Sequence, residues 1–150
     1  MQQMSSTPLE NTPLSTVGLV GQPTPYPVLA EQCRALAHEM RDRAEDNPSN
    51  LCAGDIKVAA AYIQAACMNI EQQTFIQALY FMEMADQELD AIGLYDIYCG
   101  HLAKDAERYR SKVARLQGEI VALEYFNTVN PLASLNLWEL EARLLPGGGP

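Results

Sequence analysis

The chain has 150 residues, 48% of them apolar and 19% charged, with a formal charge of -9. A chain of this length encloses a core without disulfides or metals, burying roughly 70% of its unfolded surface, so one soluble domain is expected. The acidic balance excludes binding by phosphate neutralisation and a basic membrane-surface helix, so neither direct nucleic-acid binding nor membrane association is expected.

Five of the nine prolines fall within the first 27 residues, interleaved with Ser, Thr, Gly and Gln. Residues 1-26 therefore read as an extended arm, with no basic, apolar, cleavable leader. From Pro27 to Asp46, Leu29, Cys33, Leu36 and Met40 recur at four, three and four residues, one helical stripe. Asn47-Pro48-Ser49-Asn50 ends it, because the residue before a proline is pushed out of the α region. Asp55 is the expected N-cap of a second helix carrying Ile56, Ala59, Ala60, Ile63, Cys67 and Ile70. A third, with Phe75, Leu79, Met82, Leu89 and Ile92, stops at Gly93, and Thr74 with Gln77 offers a capping box at its start. The Glu71-Gln-Gln-Thr74 junction carries no Gly or Pro, so two helices or one long rod fit equally well.

The sharpest pattern follows. Leu102, Ala106, Tyr109, Val113, Leu116, Ile120 and Leu123 recur at 4-3-4-3-4-3, the seam of a coiled coil. With Ala106, Val113 and Ile120 at a and Tyr109, Leu116 and Leu123 at d, the pattern favours two parallel strands. Asp105 then faces Arg110 of a second copy favourably, while Glu119 faces Glu124 unfavourably. The competing reading turns the same seven residues onto helices of their own chain. Asn130-Pro131 ends this helix, and a last short one with Leu132, Leu135 and Trp138 is expected before a tail at 146-150. The domain expected is 27-145, an all-α bundle of four or five helices.

Charge is segregated. Lys104, Arg108, Arg110, Lys112 and Arg115 make half of the ten cations, whereas 58-103 has no Lys or Arg and six carboxylates. The acidic third helix and the basic start of the next are expected to lie near each other. Cys33, Cys52, Cys67 and Cys99 lack paired close spacing, so reduced thiols are expected, together with a cytoplasmic location or a place in a particle assembled inside the cell.

No motif fixes a reaction. His38 and His101 have no carboxylate three residues before them, which a dimetal bundle needs, and Gly-rich phosphate loops and nucleophile elbows are absent. A tetratricopeptide reading fails too: Asn69 stands where an aromatic belongs, and a 34-residue shift puts Lys112 where a small residue belongs. The expected function is non-enzymatic and without cofactor or metal: a protein-protein interaction subunit or adaptor, a homo-oligomer or part of a larger assembly. Its expected contacts are Leu102, Ala106, Tyr109, Val113, Leu116, Ile120, Leu123 and Trp138. The alternative is a small acidic inhibitor that covers a basic site on a nucleic-acid-handling host protein.

Overall fold

The computed structural model describes residues 22-129, apart from the side chains of Tyr95 and Asp96. Among these residues the protein is all-α, with five helices and no strand. Most of the expected arm, Trp138 with the last short helix, and the tail lie outside the described residues. Helix α1 spans Tyr26–Glu45, α2 Ala53–Glu71 and α3 Phe75–Ile92. A 3-10 turn, Gly93–Tyr95, and the four-residue helix α4, Asp96–Cys99, lead into α5, His101–Val129. One compact unit covers Thr24–Val121; a second comprises the chain ends, to which the final turns of α5 from Ala122 belong.

Helix α1 starts where a proline carbonyl can open it. Leu29 donates its N–H to the Pro25 carbonyl at 3.0 Å, and a proline within the first two helical positions gives up no needed donor. The expected stripe Leu29, Cys33, Leu36 and Met40 is buried, and the helix ends just before the Asn47-Pro48 turn. Helix α2 begins earlier than its expected cap. Ile56 donates to the Cys52 carbonyl, so Asp55 sits within the first turn, where its carboxylate favours the positive end of the helix without capping it. The Cys52 N–H is met instead by the Asn50 side chain at 2.9 Å.

Helices α2 and α3 are separate, and the device that breaks them carries no glycine. Thr74 N–H donates to the Asn69 carbonyl at 2.9 Å and Gln73 N–H to the Ile70 carbonyl at 2.9 Å, with Gln73 left-handed at φ 60°. This is a Schellman turn with glutamine where glycine is usual. The Thr74 hydroxyl, expected to cap α3, turns back to the Asn69 carbonyl and side chain at 3.1 and 2.8 Å. A left-handed non-glycine residue costs about 1–2 kcal/mol. Gln73→Gly, which removes only an exposed side chain, is expected to raise the unfolding free energy by about 0.5–1 kcal/mol once the extra chain entropy of glycine is counted. A urea titration showing no gain would place the strain elsewhere.

Hydrogen bonds and ion pairs set the neighbours within Thr24–Val121. Helix α1 packs on α2, where the Cys67 thiol donates to the Ala30 carbonyl at 3.2 Å and Arg34 pairs with Glu71. Helix α5 lies antiparallel to α1: Arg43 Nε meets Asp105 Oδ2 at 2.6 Å at one end, and the Thr24 hydroxyl donates to Glu119 Oε1 at 2.7 Å at the other. It also lies antiparallel to α3, with Arg110 on Asp86 and Asp90 and Gln117 on Glu83. The core is aliphatic and small: Ala59, Ala60 and Ala66 on α2 and Ala78 and Ala85 on α3 are all buried, which lets the backbones approach closely. Among the described residues no polar or charged residue is fully buried except Tyr109, and no helix is long and apolar enough to cross a membrane.

Candidate protein-interaction surface

The heptad seam faces inward. Leu102, Ala106, Tyr109, Val113, Leu116, Ile120 and Leu123 are all buried in the single chain, none more than 6% exposed. The expectation that they form a contact with another molecule finds no exposed seam surface in the single chain. The reason lies in the positions that flank the seam. Asp105 and Lys112, at g, reach Arg43 and Glu39 on α1, and Glu119, also at g, meets Thr24 just before that helix. Arg110 and Gln117, at e, reach α3, where Asp86, Asp90 and Glu83 receive them. The side chains that would have zipped a homodimer are spent inside the chain, and Asp105 faces Arg43 in place of a second copy's Arg110.

The segregated charges meet as their distribution implies. Arg110 lies 2.9 Å from Asp86 and 2.8 Å from Asp90; Arg108 lies 2.9 Å from Glu39 and 3.3 Å from Asp105. Burial pushes the Asp105 carboxyl upward, yet its hydrogen bonds from Arg43 and Arg108 hold it below the ordinary aspartate range. Glu39 is held low mainly by its hydrogen bond from Arg108, with Lys112 adding to it. The pairs are half-exposed, so each is worth little by itself; their effect is to fix which flank of α5 faces which helix.

One seam residue breaks the apolar rule. The Tyr109 hydroxyl is buried without a hydrogen bond of ordinary geometry, and burial pushes its pKa up against the opposing pull of the Arg108 guanidinium, which lies 4.7 Å from the ring centre. An unmet buried hydroxyl costs about 1–3 kcal/mol. Tyr109→Phe keeps the ring and the cation-π contact, and is expected to leave stability unchanged or raise it by about 1 kcal/mol. A loss above about 1 kcal/mol in a thermal melt would reveal a partner for the hydroxyl.

Exposed apolar side chains occur on several helices, Ile76 and Tyr80 on α3 among them, and the most exposed lie in the connections at one end of the long helices. Leu51 is 74% exposed, Leu94 79%, Ile97 86% and Tyr98 66%. All four sit in the two connections, α1 to α2 and α3 to α5, and not on a helix stripe. Leu51 and Tyr98 share the wall of a shallow hollow of about 490 Å³ with Pro48, Asp46, Asn47, Asn50 and His101. Sequence reading passes over these residues because they lie where periodicity stops. The available signal is the run Leu94-Tyr-Asp-Ile-Tyr-Cys99, apolar and aromatic yet closed by Gly93 and Gly100, too short for a helix of its own. Gly100 supplies the left-handed turn into α5, at φ 54°.

The cysteines divide two and two. Cys33 and Cys67 are buried free thiols, as expected, and burial pushes the Cys33 thiol up to about 12. Cys52 and Cys99 are joined in a disulfide, with Cα atoms 5.6 Å apart, which corrects the expectation of four reduced thiols. Their separation of 47 residues hid the pair, because the two are brought together only by the fold. The histidines are far from forming a site together. His38 lies 3.3 Å from Asp42 on an exposed face of α1, and His101 meets the Asn47 side chain at 2.9 Å beside the hollow. Among the described residues no group of three or more His, Cys, Asp or Glu is placed to hold a metal ion. Comparison with known protein families, with curated proteins and with solved structures finds no match to this chain.

Proposed function

We propose that this all-α chain is a non-enzymatic interaction subunit that meets a protein partner through the apolar cap of Leu51, Leu94, Ile97 and Tyr98, not through its heptad seam. The observation that carries the reading is that these four highly exposed large apolar side chains lie in the two connections joined by Cys52–Cys99, with Leu51 and Tyr98 lining one hollow. Charge indicates the partner's chemistry. Arg34, Arg43, Arg108, Arg110 and Lys112, half of the ten cations, are engaged in ion pairs within the chain, so the outward field of a chain carrying -9 is negative. A complementary face is apolar at its centre and basic at its rim; a second copy of the chain would bring like charge to the contact. The patch is small, so the contact is weak unless further surface joins it. The disulfide favours maturation in an oxidising compartment, which weighs against the cytoplasmic expectation.

The test begins with co-purification from the native source and identification of the captured protein. That protein, purified, is then titrated against the wild-type chain and against Leu94→Glu/Ile97→Glu, with circular dichroism as the check on folding. A folded variant with at least tenfold weaker binding supports the cap. Equal binding by both proteins overturns it, and so does a wild-type chain that only self-associates on ultracentrifugation. The inhibitor alternative has less support, since Glu39, Asp86, Asp90 and Asp105 are each paired with a cation of the chain.

A further inference from the structure

We propose that the Cys52–Cys99 bridge is a redox clasp that holds the Gly93–Gly100 connection onto the long helices, so that a dithiol reductant releases this segment while α1, α2, α3 and α5 stay formed. The proposal rests on how the segment is held and not on what binds there.

Between the two glycines, Cys99 is the only described side chain that is buried; Leu94, Ile97 and Tyr98 point into solvent. Helix α4 has four residues, below the length at which helical hydrogen bonds sustain themselves. Among the described side chains, and apart from the disulfide, one hydrogen bond ties the segment to the rest: Asn50 Nδ2 donates to the Cys99 carbonyl at 2.9 Å, while Asn50 Oδ1 accepts the Cys52 N–H. One such hydrogen bond falls short of the entropy of ordering the segment, and the covalent link at Cys99, its one described buried side chain, is the strongest described tie. The long helices have no such dependence, because each buries its own stripe: Leu29 to Met40 in α1, Ile56 to Ile70 in α2, Phe75 to Ile92 in α3 and Leu102 to Ile120 in α5. Order in the cap and order in the core are thus held by separate means, which is the condition for a local transition.

The chemistry is ordinary thiol-disulfide exchange. One thiolate of the added dithiol attacks a bridge sulfur, the sulfur–sulfur bond breaks, and the second thiol closes the mixed disulfide. The bridge gains two electrons and two protons as two thiols, and the dithiol leaves as its cyclic disulfide. Cys52 is 2% exposed and Cys99 fully buried, so attack waits on an opening of the thin cover of exposed residues beside them. Cys33 does not scramble the pair: its thiol is buried in α1 and held protonated.

Hydrogen exchange read by mass spectrometry on the full chain tests the clasp, comparing oxidised protein, protein in dithiothreitol, and a Cys52→Ala/Cys99→Ala variant. Peptides covering 93-100 are expected to exchange at least a hundredfold faster in the reduced protein and in the variant, with peptides from the four long helices still protected. Three results overturn the proposal: unchanged protection of 93-100 after reduction, complete exchange of the long helices in the same step, or alkylation of four free thiols in the unreduced protein. None involves a partner, so failure here is separate from failure of the cap as a binding surface.

Discussion

Leu116→Asp is expected to unfold this protein, not to dissociate it. Leu116 is 1% exposed at the centre of the inward face of α5. The substitution removes a buried leucine, worth about 2–5 kcal/mol with the space it leaves, and puts a carboxylate among aliphatic side chains where it finds no cation. The combined loss of at least about 4 kcal/mol consumes much of a typical stability of about 5–15 kcal/mol. Far-UV circular dichroism is expected to show a lowered melting temperature or a chain unfolded at 25 °C. Ala114→Asp, on the exposed face of the same helix, is expected to cost less than about 1 kcal/mol. A Leu116→Asp protein that keeps its melt and only halves its mass in light scattering would restore the seam as an interface between copies.

Removing the bridge is expected to be the second large effect. A cross-link closing a loop of 47 residues restricts the unfolded chain, and its loss lowers the unfolding free energy by about 4 kcal/mol in the chain-entropy account. The prediction concerns the midpoint of a urea titration of the Cys52→Ala/Cys99→Ala variant, or of the wild type in dithiothreitol. Alanine is the proper replacement, since serine would bury two hydroxyls and confound the comparison. A midpoint that does not move would mean that the cysteines are unpaired in the purified protein, whatever their proximity. The two losses differ in kind: the first removes packing shared by the long helices, and the second frees the unfolded chain while leaving that packing in place.

Local rules carried the reading of the chain a long way. The α1 stripe, its end at Asn47-Pro48, the stop at Gly93 and the buried stripe from Leu102 to Leu123 are all written in spacing and in Gly and Pro, because those features act over one or two turns of helix. The segregation of acidic 58-103 from basic 104-115 implies that α3 and the start of α5 lie near each other, within one chain or between copies, and Arg110 meets Asp86 and Asp90 within the chain. Where the local rule had a substitute, the reading stalled. Gln73 does the work of glycine at the α2–α3 break, Asn50 takes over from Asp55 at the start of α2, and nothing in the residue types alone announces either exchange.

The larger gap concerns what covers the seam. A 4-3 repeat says which face of a helix must leave water, and it is silent on which surface receives that face, since three neighbouring helices and a second copy satisfy the same hydrophobic demand. Arg43, Glu39, Asp86 and Asp90 supply partners within the chain, and they stand 20 to 73 residues away from those partners on α5. The same distance hid Cys52 from Cys99 and left Leu51, Leu94, Ile97 and Tyr98 looking like ordinary connections. Helix faces follow from neighbours in sequence; pairs, covers and exposed caps follow from neighbours in space, which exist only once the chain has closed on itself.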